Sequence, residues 1–165
     1  MREQLEETYR SHRQGLFLLA LSVTRCAQLA EDAVHVAFER LCRRPAPPEG
    51  DFVSYVFAAV RNASRDAVRH RRVRAELTES LFNGYQSPEQ ADNPADDVLT
   101  RERDQILRSA VDGLPLADRE IVVLKVFAGL TFDAVARVLE QSPKTVATRY
   151  RRALAKLEEK LRGQL

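Results

Sequence analysis

The chain has 165 residues, 44% of them apolar and 30% charged, with 26 Lys and Arg against 24 Asp and Glu. That composition is ordinary for a globular protein, which excludes wholesale disorder, and the length suits one domain or two small ones. The longest apolar run, residues 16–21, is far short of the roughly 20 residues of a membrane span, and the opening MREQLEETYR lacks the basic-then-apolar order of a signal peptide.

No membrane insertion is therefore expected. Cys26 and Cys42 have neither metal-ligand spacing nor a disulfide framework, and are expected as small core residues of a reduced, cytoplasmic protein. The formal net charge of +2 suggests no nucleic-acid partner, but it conceals a strong pattern. Residues 43–75 and 142–165 each carry a net +5, residues 76–105 carry −6, and the two remaining segments carry −1 each. Two basic blocks on helices with apolar opposite faces point to two contact sites for a polyanion.

Helical periodicity recurs along the chain and no segment sustains strand alternation. A first helix is expected over residues 3–24, with Leu5, Tyr9, Leu16, Leu19 and Val23 at its apolar positions. A second, over 29–43, places Ala30, Val34, Phe38 and Leu41 on one side, and Pro45, Pro47 and Pro48 prevent its continuation. Asp51 is positioned to cap a third helix over 52–72, where Phe52, Tyr55, Val56, Ala59, Val60, Ala63 and Ala67 form a buried stripe.

Periodicity then fades. Residues 76–100, with Asn83-Gly84, Pro88, Asn93-Pro94 and Asp96-Asp97, read as an acidic flexible linker in which Leu81, Phe82 and Tyr85 could dock locally. Helices follow over 98–111, ended by Gly113, over 116–127, and over 132–140 with Thr131 as N-cap. Ser142-Pro143 opens the last, over 143–161, which is expected to bury Val146, Tyr150, Ala153, Leu154, Leu157 and Leu161. The expected fold is all-α: a three-helix domain over 1–75, the linker over 76–100, and a four-helix domain over 101–165. The linker's 25 residues could extend to ~85 Å, more than the roughly 70 Å of two duplex turns.

The most informative stretch is TFDAVARVLEQSPKTVATRYRRAL, residues 131–154. A short helix turns Val135, Ala136 and Leu139 inward, a tight connection follows, and Val146 opens the next apolar face. The outer face of that second helix carries Lys144, Thr145, Ala147, Thr148, Arg149, Arg151 and Arg152. This is a helix-turn-helix with a surface suited to DNA: N-terminal side chains reach base edges and basic ones hold phosphates. Glu140-Gln141 occupies the turn where glycine is usual, so either the first helix extends or Glu140 is strained.

At this point the sequence resembles a known family. Residues 114–161 are similar, in order and spacing, to the C-terminal promoter-reading domain of extracytoplasmic-function (ECF) sigma factors of the sigma-70 family. AEDAVHVAFERL, residues 30–41, resembles the family's polymerase-binding helix, commonly AED-x-V-Q-x-x-F-x-x-L. FVSYVFAAVRNASRDAVRHRR, residues 52–72, resembles its promoter-melting helix, commonly F-x-x-W-L-x-x-I-A-x-N-x-x-x-D-x-x-R. The resemblance implies that Asp32, His35, Phe38, Glu39 and Leu41 dock on the clamp of bacterial core RNA polymerase. It implies that Arg61, Asn62, Arg65, Arg69, Arg71 and Arg72 engage the −10 promoter element, and that Lys144, Thr145, Thr148, Arg149, Arg151 and Arg152 serve the −35 element. An anti-sigma factor is a further candidate partner. His35 in place of glutamine, Cys42 in place of an aromatic, Tyr55 in place of tryptophan, and Ala147 in place of lysine depart from the pattern.

No other chemistry emerges. His12, His35 and His70 fall on separate predicted helices, no acidic pair accompanies a nucleophile or phosphate loop, and no metal, cofactor or catalytic activity is expected. The alternative reading is a helix-turn-helix regulator that binds DNA without docking on polymerase.

Overall fold

Side-chain caps set where the helices begin. In the structure, a computed structural model describing residues 1–79 and 98–164, Asp51 Oδ1 accepts from the backbone N–H groups of Val53 (3.1 Å) and Ser54 (3.3 Å). Thr131 Oγ1 accepts from Ala134 N–H at 3.1 Å, and Ser142 Oγ from Thr145 N–H at 3.2 Å. All three expected caps therefore form, each satisfying an N–H that its helix leaves unpaired. The helices are α1 (Arg2–Thr24), α2 (Ala27–Cys42), α3 (Phe52–Glu79), α4 (Val98–Asp112), α5 (Leu116–Val122), α6 (Phe132–Leu139) and α7 (Pro143–Arg162). No strand occurs among the described residues, and the all-α expectation holds.

The chain divides into two compact units, Met1–Ala91 and Asp92–Leu165. In the first, α1, α2 and α3 pack mutually around Leu5, Leu16, Leu19, Ala30, Ala33, Ala37, Leu41, Val56, Phe57, Val60 and Ala63. The three buried alanines of α2 let its backbone approach its neighbours closely, and Phe57 of α3 is wholly buried in the same core. Thr8, Ser22, Thr24 and Ser64 are also buried. Each donates its hydroxyl to a carbonyl three or four residues earlier (Gln4, Leu19, Ala20 and Val60), so burial leaves no donor unmet.

In the second unit, Ala110, Val111 and Leu114 meet Val122, Ala153 and Leu157, with Leu161 packed against them. Arg119 is buried and donates from Nη2 to the Leu114 carbonyl at 3.1 Å, tying α5 to the turn that precedes it.

Several expectations require correction. α3 runs to Glu79 rather than 72, because residues 73–79 contain no glycine or proline to end it, and Thr78 is bonded back to the Arg74 carbonyl. The expected linker is shortened accordingly; residues 80–97, with Leu81, Phe82 and Tyr85, lie outside the described residues. Residues 116–127 are not one α-helix. After Val122 the backbone widens into a π turn over Val123–Phe127, closed by Ala128 N–H to the Val123 carbonyl, and Val126 and Phe127 emerge on the surface. Leu154 is exposed and Tyr150 half-buried, while Cys42 is exposed and Cys26 half-buried, so neither cysteine is a core residue.

Candidate nucleic-acid interface

On α2, Asp32, His35 and Glu39 are solvent-exposed along one face. Gln28 Nε2 donates to Asp32 Oδ1 at 3.3 Å, and Glu39 pairs with Arg43 one turn on. Phe38 is half-buried, its ring meeting that of Tyr9 edge-on at 5.4 Å between centroids. Leu41 does not belong to this face: only 4% of it is exposed, and it points into the bundle. Helical spacing explains the correction, since Leu41 follows Ala30, Ala33 and Ala37 at intervals of three and four and shares their buried side. Tyr9 of α1, 43% exposed, is an aromatic beside Phe38 that reading α2 alone could not supply.

On α3, Asn62, Arg65, Arg69 and Arg72 are exposed at spacings of three and four, a polar stripe about 15 Å long. Val56, Val60, Ala63 and Ser64 fill the buried side. Arg61 and Arg71 are half-buried at the stripe's flank. Asp66 pairs with Arg69 and, at 3.4 Å, with Arg40 of α2, so one carboxylate steadies a basic residue of the stripe and ties two helices together. Tyr55, at the tryptophan-like position, lies 5.4 Å beneath the Arg44 guanidinium.

The second unit carries the helix-turn-helix. Glu140 adopts a left-handed conformation (φ 56°), and Gln141 N–H reaches the Ala136 carbonyl at 3.0 Å. This ends α6 in the manner usually assigned to glycine and resolves the anomaly of the turn in favour of strain. Buried Ala136, Val138, Leu139 and Val146 form the elbow's interior. Outside it, Lys125 sits 4.7 Å over the Phe132 ring, which meets Tyr150 edge-on at 5.5 Å, fastening the π turn, α6 and α7 to one another. Lys144, Thr145, Arg151 and Arg152 are exposed and Thr148 is half-buried on the side of α7 away from Val146, whereas the half-buried Arg149, three residues after Val146, lies on the flank of the packed side.

An apolar groove of about 560 Å³ lies on a separate side of α7, lined by Leu107, Val111, Val126, Phe127, Leu154 and Leu161 among others. Among the described residues, no cluster of three His, Cys, Asp or Glu is placed to hold a metal, and no helix is long and apolar enough to cross a membrane.

The class so defined is a helical protein with a helix-turn-helix and a second, separate basic helix. Residues 8–74 match sigma-70 region 2, and residues 104–157 match sigma-70 region 4. The chain belongs to the sigma-70 family as an ECF-type RNA polymerase sigma factor, a protein of transcription initiation. Among curated relatives, RNA polymerase sigma factor CarQ of Myxococcus xanthus is 26% identical over 99% of this chain and 91% of its own length. ECF RNA polymerase sigma factor SigK of Mycolicibacterium vanbaalenii is 25% identical over 92% of this chain and 78% of its own. Probable RNA polymerase sigma factor RfaY of Xanthomonas campestris is 28% identical over 87% of this chain, which spans only 36% of that relative's length. Among solved structures, the sigma factor RpoE in complex with the anti-sigma factor NepR from Bartonella quintana shares the fold (TM-score 0.72, 18% identity, all of both chains). So does CnrH in complex with the cytosolic domain of CnrY (TM-score 0.66, 23% identity, all of this chain and 92% of that one).

Proposed function

We propose that this sigma factor binds bacterial core RNA polymerase through the α2 face and contacts promoter DNA at two places, the −10 element through α3 and the −35 element through α7. Asp32, His35 and Glu39 supply polar contacts to the clamp, and Phe38, widened by Tyr9, supplies apolar area. Asn62 hydrogen-bonds an unstacked base, while Arg61, Arg65, Arg69, Arg71 and Arg72 hold the strand electrostatically. Lys144, Thr145, Thr148, Arg149, Arg151 and Arg152 meet the upstream duplex. The protein acts in the cytoplasm, performs no catalysis of its own, and is a target for an anti-sigma factor, as the RpoE neighbour is.

The observation that carries this reading is the pairing, in one chain, of a basic stripe on α3 with a capped recognition helix on α7. Reconstituted transcription tests it: adding the protein to its host's core polymerase should start transcripts at a subset of genomic promoters. No stimulation at any genomic promoter would refute it.

A further inference from the structure

Thr148 sits at the centre of the outward face of α7, about 200° round the helix from the buried Val146. Lys144 precedes it by one turn, and Arg151 and Arg152 follow it by one turn. A threonine there could present a hydroxyl to a base edge, but its Oγ1 donates to the Lys144 carbonyl at 2.9 Å. With that proton committed to the carbonyl, the side chain has no hydroxyl hydrogen left to donate to a base, and its other group is the γ-methyl. Thr145 is engaged similarly, its hydroxyl sharing a 2.7 Å hydrogen bond with the capping Ser142. Ala147, beside them, carries no polar atom in its side chain. The middle of the reading face thus offers methyl groups within a ring of cations.

From this arrangement we infer that Thr148 is a specificity-determining residue that reads a thymine by contact between its γ-methyl and the base's C5-methyl in the major groove. The inference rests on α7 being the −35 helix. Lys144, Arg151 and Arg152 hold the flanking phosphates or guanines, and the threonine methyl fills the space against the thymine.

The full chain assembled with its host's core polymerase provides the test. A promoter library randomised over the upstream element is first selected for binding. Each thymine of the selected element is then replaced by deoxyuridine, which pairs identically but lacks the C5-methyl. Wild-type holoenzyme should lose about fourfold in affinity at one thymine position, the worth of one buried methyl. Thr148→Val, which keeps the methyl, should show the same loss, and Thr148→Ser, which removes it, should be indifferent at that position. Indifference of the wild type to deoxyuridine everywhere, unchanged sensitivity in Thr148→Ser, or abolished sensitivity in Thr148→Val would each overturn the methyl contact. Arg149→Ala with Arg152→Ala separates the two layers. If no upstream sequence enriches, or if that double variant binds the selected element as tightly as the wild type does, the assignment of α7 to the −35 element fails and the proposal fails with it.

Discussion

Leu41 and Glu39 stand two positions apart on α2, yet helical geometry sends one into the core and the other into solvent. The two should separate cleanly on substitution. Leu41→Ala should cost about 2–5 kcal/mol of unfolding free energy by denaturant titration, as for other buried leucines. Glu39→Ala should change stability by less than about 0.5 kcal/mol while weakening capture of the protein on immobilised core polymerase. Equal stability of the two variants would mean that Leu41 is not a packing residue. Glu140 presents the opposite situation, a charged residue in a conformation that favours glycine. Glu140→Gly should stabilise the protein by about 0.5–1 kcal/mol, since relief of the left-handed strain exceeds the added freedom of the unfolded chain.

α7 is held by its ends and by its apolar side, leaving the outer face free of packing duties. Ser142→Ala removes the hydroxyl that accepts from Thr145 N–H and should cost about 1 kcal/mol. Because that cap also fixes the first turn, upstream-element binding should fall with it. The basic residues act differently. Arg149→Ala with Arg152→Ala should weaken DNA binding and reduce the slope of log affinity against log salt by about one unit for each phosphate no longer neutralised. A slope that does not change would show that these arginines touch no phosphate. The π turn shows how an element can depart from its sequence pattern. The run VVLKVF is apolar at five of six positions, so periodicity cannot distinguish a regular helix from one with an inserted residue. Only the packing of Leu124 inward and Lys125 against Phe132 decides which side chains emerge.

For the molecule as a whole, the distribution of charge matters more than its total. Each compact unit carries a basic helix, and the −6 of residues 76–105 offsets them in the sum. Acidic residues in the segment joining the units should compete with DNA for the basic faces within a Debye length, about 10 Å at 0.1 M salt. Replacing Asp92, Asp96 and Asp97, which lie outside the described residues, by asparagine should therefore strengthen promoter binding by the polymerase-free protein, with the gain shrinking as salt rises. Equal or weaker binding in a titration at low salt would contradict this screening.

By itself the sequence determined the helices found among the described residues, the three caps at Asp51, Thr131 and Ser142, and the two basic faces. All of these depend on interactions between residues within one turn of each other, so spacing and residue type suffice. The extended motifs on α2, α3 and α7 carried the family resemblance for the same reason. What the tertiary structure decided were matters of which neighbour lies opposite: Leu41 buried rather than displayed, Tyr9 brought beside Phe38, Asp66 set between Arg40 and Arg69, Arg119 drawn inside to the Leu114 carbonyl. The net charge of +2 was likewise legible from the first. Its division into two outward basic surfaces became physical only when the buried sides of α3 and α7 were fixed, because burial of one side leaves the charges no other place than solvent.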